Sequence, residues 1–196
     1  MHGSLPVSFA DLVFAAPGSR GPGIGHLAVP AREVLRYPHP VLKAVARPLG
    51  DDEREVAERV GRDLVDTMRS FPRCVGIAAP QIDELVRMVV VDVTDHPKAT
   101  ACHGELVLVN PRVVASSGAE VAREGCLSIP DLTANVRRAT EVTIGAHDVT
   151  GRAREIETEG FEARCLLHEL DHLDGLLFLD RVDSLTTDVF RRKRYA

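Results

Sequence analysis

The pentapeptide HELDH at residues 168–172 limits what this chain can fold into more than any other stretch. It lies within FEARCLLHELDHLD, which reads as a helix beginning near Gly160 and stopped by Gly175. Four residues apart on such a helix, His168 and His172 project their imidazoles from one face. Glu169 reaches the same side without being a ligand, so the pattern is HExxH, with a carboxylate able to serve a metal-bound water as base. The same residues on an exposed helix would simply be solvated. Two histidines also leave a catalytic centre incomplete, since such a site takes three protein ligands and keeps one position open. The fold must therefore carry a third ligand to this helix. Downstream, LDGLLFLD offers Asp174 and Asp180, but no further His or Glu follows. Upstream, Cys126 in EGCLSIP (124–130) is the better candidate, its thiolate supplied from a strand or loop facing the helix. Taken alone, that cysteine reads first as a buried core thiol.

The rest of the chain supplies both kinds of element. In DEREVAERVGRDLVDTMRSF (52–71), Val56, Val60, Leu64 and Met68 recur every four residues, and Val65 and Phe71 widen the stripe. Asp52 with Glu55 resembles a capping box, and Pro72 stops the helix. The period then changes. VRMVVVDV (86–93) and ELVLVN (105–110, stopped by Pro111) are rich in β-branched residues and read as buried strands. EVTIGAHDV (141–149), the turn Thr150–Gly151 and RAREIET (152–158) read as a hairpin, and a short helix is expected after Ser184. Helix, strands and helix without βαβ alternation predict an α+β domain: antiparallel or mixed sheets around a central HExxH-bearing helix, with an N-terminal helix. A chain of 196 residues suits one such domain. Residues 1–29, rich in Gly, Pro, Ala and Ser, read as a loosely ordered extension.

Charge and cysteine usage narrow the function. A formal net charge of -5 argues against broad binding to nucleic acid or membranes as the main activity. The one dense basic run, Arg191–Arg194, is on the tail, where such a run reads first as a solvated end. Cys74, Cys102, Cys126 and Cys165 form no CxxC pair, which fits reduced thiols and a cytosol-like compartment. No apolar run approaches the ~18 residues of a membrane span. The stretch SFADLVFAAPGSRGPG lacks a basic segment before it and carries Asp11, unlike a secretory signal.

Three segments together resemble the three motifs of the peptide deformylase family: CVGIAAPQ (74–81), EGCLS (124–128) and HELDH (168–172). The resemblance covers roughly residues 30–185, including LRYPHPVLKAVARPL, LVNP (108–111) and GLLFLD (175–180), and leaves 186–196 as a tail. It implies a metallohydrolase that removes the formyl group from the N-terminal formyl-methionine of nascent chains, releasing formate. By matching positions, Cys126, His168 and His172 would be the metal ligands and Glu169 the general base. Gln81 and the backbone N–H of Leu127 would stabilise the oxyanion. Val75 and Gly76 would let the substrate backbone come close, and Phe161 and Cys165 would line the pocket for the methionine side chain. Glu124 and Arg138 would brace the segment carrying Cys126. Asp171 reads equally as a residue orienting a ligand or as a solvated one. Ligand chemistry alone favours zinc. The resemblance implies ferrous iron in the cell, with nickel, cobalt or zinc as substitutes.

It further implies a bacterial cytoplasmic enzyme whose basic tail (Arg191, Arg192, Lys193, Arg194) assists docking on the ribosome. Two positions depart from the usual bacterial pattern. Cys74 replaces the first glycine of its motif, as in mitochondrial-type members, which keeps an organellar enzyme open. Thr133 replaces an arginine that helps bind the peptide. Both lie on the substrate side, so a deformylase or amidase of small molecules is the alternative enzyme. A non-catalytic metal-binding module at the ribosome is the alternative outside enzymes, and it would have no need of Glu169.

Overall fold

The computed structural model describes residues 31–192. The N-terminal extension expected at 1–29 and two of the basic residues, Lys193 and Arg194, lie outside them. Among the described residues, two α-helices, α1 (Arg54–Ser70) and α2 (Gly160–Leu173), accompany eight strands. These are β1 (Gly76–Ala78), β2 (Met88–Val91), β3 (Leu106–Ser117), β4 (Glu120–Cys126), β5 (Ile129–Arg138), β6 (Glu141–His147), β7 (Ala153–Glu159) and β8 (Val189–Arg191). One sheet runs β1-β2-β3-β6-β7 and the other β4-β5-β8, each antiparallel throughout.

Strand β2 explains how the larger sheet is covered. Its MVVV run does not alternate in polarity, and all four residues are fully buried. Met88 and Val90 pack with Val60, Leu64 and Met68 of α1, whereas Val89 and Val91 pack with Leu166, Leu170 and Leu173 of α2. The sheet thus lies between the two helices, and period-two alternation sends each neighbour to a different core. Helix α2 presents its remaining face to the smaller sheet, so it is central. It ends at Gly175, whose φ of 70° favours glycine and whose approach to the Lys43 carbonyl requires it, as a Cβ there would meet that oxygen at 2.7 Å.

Three local expectations are corrected. The Asp52–Glu55 capping box does not form, because Glu53 is the N-cap and its carboxylate is engaged by Arg47 (2.7 and 2.8 Å) and the Gly50 N–H (2.9 Å). The apolar stripe of α1, by contrast, forms as expected: Val60, Leu64 and Met68 are buried with Ala57, and Val56 and Val65 pack half-buried against the same cluster. Pro111 does not stop β3. Asn110 takes a φ of 52° beside a register shift between Val109 and Arg112, a bulge at which proline's missing N–H is tolerated. Finally, the segment after Ser184 is not a helix: it turns and then pairs as β8 with β5, Thr133 opposite Phe190. Val189 packs into the cluster with Ala134 and Val136, while Leu185 stays exposed, so one alternating strand buries what a helical stripe would not. The expected β6–β7 hairpin forms, with Gly151 at φ 86° in its turn.

Candidate active site

Cys126 is the last residue of β4, and α2 brings both histidines to it. The Cys126 Sγ lies 3.3 Å from His172 Nε2, and one ligand atom from each of Cys126, His168 and His172 falls within 4.8 Å of the others. Glu124, two residues before Cys126 and so on the same face of the strand, accepts a hydrogen bond from His168 Nδ1 at 2.9 Å. That fixes the ring and leaves its Nε2 for a metal.

A buried network holds this arrangement. Arg138 donates to both Glu124 oxygens (2.8 and 3.0 Å) and to Asp171 (2.7 Å). Arg164 donates to Glu124 Oε1 at 2.9 Å and to the Val136 carbonyl at 2.9 Å, and Arg181 closes on Asp171 at 2.7 Å. Burial opposes the charge on Glu124, but His168 and Arg138 outweigh it and hold the carboxyl down at about 2. Burial likewise opposes ionisation of Cys126, yet the two imidazoles beside it keep its thiol well below the ordinary range. His168 is correspondingly held above its usual value, against burial, by Cys126 and Glu124. A thiolate facing two imidazoles, with a carboxylate behind one of them, is a donor set suited to a divalent transition metal. The residues present fit such an ion.

Glu169 lies beside this group on the cavity side. Its carboxyl is pushed up to about 7, burial being the largest cause. Its Oε2, like His172 Nδ1, is buried without a hydrogen-bond partner among the described residues. Gln81 is oriented by the Ala78 N–H, which donates to its Oε1 at 2.9 Å. Its Nε2 is thereby turned toward Cys126 Sγ (3.4 Å) and Ser128 Oγ (3.1 Å). A cavity of about 240 Å³ opens onto these groups. Val75, Gly76, Leu127, Phe161 and Cys165 line it, so the sequence-expected substrate residues are gathered on one surface, with His172 and Arg138 behind it. Cys74 lines it too, its Sγ 3.1 Å from the Gly76 carbonyl and its thiol pushed up to about 12, chiefly by burial.

Several contributors escaped sequence reasoning. Arg164, one turn before His168, carried a readable signal, since i and i+4 share a helix face. Asp171, left open by sequence, is buried and paired to Arg138 and Arg181. Ser128 and His96 gave no such signal. The His96 ring stacks on Phe161 with centroids 4.0 Å apart, a contact between distant segments.

A family model described as Polypeptide deformylase matches residues 31–188. The peptide deformylase of Dictyoglomus thermophilum is 40% identical over 159 residues, covering 80% of this chain and 97% of the relative. Among solved structures, a peptide deformylase from Legionella pneumophila is 39% identical with a TM-score of 0.70, covering 79% of this chain and 88% of that one. The Met-Ala-Ser-bound class I type b enzyme from Acinetobacter baumannii is 31% identical with a TM-score of 0.74, covering 80% of this chain and all (100%) of that one. The chain belongs to the peptide deformylase family, metal-dependent hydrolases that remove the N-formyl group from newly synthesised proteins.

Proposed function

We propose that Cys126, His168 and His172 hold one divalent ion, Fe2+ in the cell, and that Glu169 carries the proton in deformylation. The observation that carries this reading is the convergence of one sulfur and two imidazoles beside a buried carboxylate with an unpartnered oxygen. When bound, the ion polarises the formyl oxygen and makes water acidic enough to react near neutral pH. Glu169 accepts that proton and delivers it to the departing amine nitrogen, a double duty that suits a carboxyl pushed up to about 7. Gln81 Nε2 and the Leu127 N–H donate to the oxygen that gains charge, a contribution of ~10²–10³ in rate for such a donor.

Gly76 and Val75 form the wall along which the peptide backbone runs, and Phe161 and Cys165 receive the methionine side chain. Glu124 and Arg138 hold His168 and the end of β4 in register. Four free cysteines and bacterial relatives support a bacterial cytoplasmic setting. Association with the ribosome through the basic tail belongs to the same reading, resting on the exposed Arg191. The test is formate release from formyl-methionyl peptides by protein purified without oxygen. Turnover that needs the ion and fails on non-formylated peptide is expected. Absence of formate release from the metal-loaded protein would overturn the reading.

A further inference from the structure

Three guanidinium groups line the same cavity without a part in the chemistry above: Arg73, Arg123 and Arg192. The cavity's two lining carboxylates are engaged elsewhere, Glu124 by Arg138, Arg164 and His168, and Glu169 at the reacting centre. None of the three arginines has an acidic partner among the described residues. On a chain of net charge -5 that carries many paired arginines, three unpaired ones at one mouth are a local reversal of sign.

Two of them are held in place by strand pairing. Thr133 of β5 stands opposite Phe190 of β8, which puts the Phe190 ring 3.5 Å beneath the Arg123 guanidinium. Arg123 also donates to Thr133 Oγ1 at 3.2 Å. The Arg192 N–H donates to the Asp131 carbonyl at 2.8 Å, and its guanidinium lies across Gly125, where a Cβ would collide with it. Gly125 thus leaves room for a cation directly beside Cys126. Arg73 stands on the segment leading to Val75 and Gly76, in a turn with φ 65°.

We propose that Arg73, Arg123 and Arg192 form a cationic rim that selects formyl-methionyl peptides bearing a carboxylate one or two residues after the methionine. The proposal rests on the reading above, in which the formyl group lies at Cys126 and Glu169, so that the following residues leave through this mouth. Because the rim is partly solvated, each charge contributes modestly, and together they give about three- to tenfold in kcat/KM. Ribosomal RNA phosphates are the competing anion, and they would leave peptide choice untouched.

The experiment measures formate release by the full-length, iron-loaded protein from C-terminally amidated peptides: formyl-Met-Ala-Ser, formyl-Met-Asp-Ser, formyl-Met-Ala-Asp and formyl-Met-Lys-Ser. A free-acid formyl-Met-Ala-Ser separates a terminal carboxylate from a side-chain one. At least one Asp peptide is expected to exceed the Ala-Ser peptide, and the Lys peptide to fall below it. The ratios should shrink toward one in Arg192→Gln and in Arg123→Gln, survive in part in Arg192→Lys, and flatten at about 1 M salt, where screening is nearly complete. Equal kcat/KM for acidic, neutral and basic peptides overturns the rim while leaving deformylation standing, whatever Arg192→Gln does to ribosome binding. Failure to hydrolyse any of the peptides overturns the reading of the centre and the rim with it.

Discussion

The carboxylate of Glu169 occupies the space in which a side chain on Gly76 would begin: its Oε1 lies 2.7 Å from the position of a Cβ there. The neighbouring wall of the cavity therefore fixes where the proposed proton carrier can stand. Gly76→Ala should keep the metal and the fold but displace Glu169, lowering kcat by about 10²-fold, as misplacement by an ångström typically does. Metal content alongside kcat checks this, and unchanged turnover would show that the carboxylate has room to spare.

Glu169→Ala separates proton transfer from ion binding. The variant should retain a full equivalent of metal and lose about 10²–10⁴-fold in turnover, because the carboxylate handles the proton rather than the ion. Near-normal formate release would remove Glu169 from the reaction.

Arg138 neutralises Glu124 and Asp171 together in the interior. Arg138→Met leaves two buried carboxylates short of a partner and should cost about 3–5 kcal/mol of stability, read from denaturant unfolding. Loss of less than about 1 kcal/mol would mean that Arg164 and Arg181 suffice. The pH dependence follows from Glu124, whose carboxyl is lowered from 4.5 to about 2. A depressed pKa contributes stability that is complete above about 4.5 and is lost as the pH falls toward 2. Glu124→Gln should therefore be less stable at neutral pH and show a flatter decline across that window.

The tail tests how far β8 is part of the domain. Val189 is packed beside Ala134 and Phe178, and Arg192 reaches the cavity. Deleting residues 185–196 should lower the melting temperature and reduce hydrolysis even of a short formyl peptide. Retention of both would make β8 dispensable.

Where the sequence was legible, the signal was local. HELDH put two imidazoles on one helix face with a carboxylate beside them, because helical geometry is fixed, but a metal centre also needed a third ligand from elsewhere in the chain. The VRMVVVDV run read as a buried strand, and its centre forms β2. Cys126 by itself read as a core thiol and took its role from the incomplete HELDH pair and from the three motifs together, because the contact that brings it to α2 joins residues forty-six apart. The same limit hid Arg192, whose place depends on β8 pairing with β5, and the bulge at Asn110, which lets β3 pass through Pro111. Sequence periodicity describes faces of single elements. It does not say which faces meet.

Metal content of Cys126→Ala, measured by elemental analysis on protein purified without oxygen, tests the central claim most directly. With only His168 and His172 left, the variant should retain well under half of the wild-type equivalent and release no formate, while unfolding as a cooperative domain. A full equivalent of metal together with wild-type formate release would contradict the assignment of Cys126 as the third ligand.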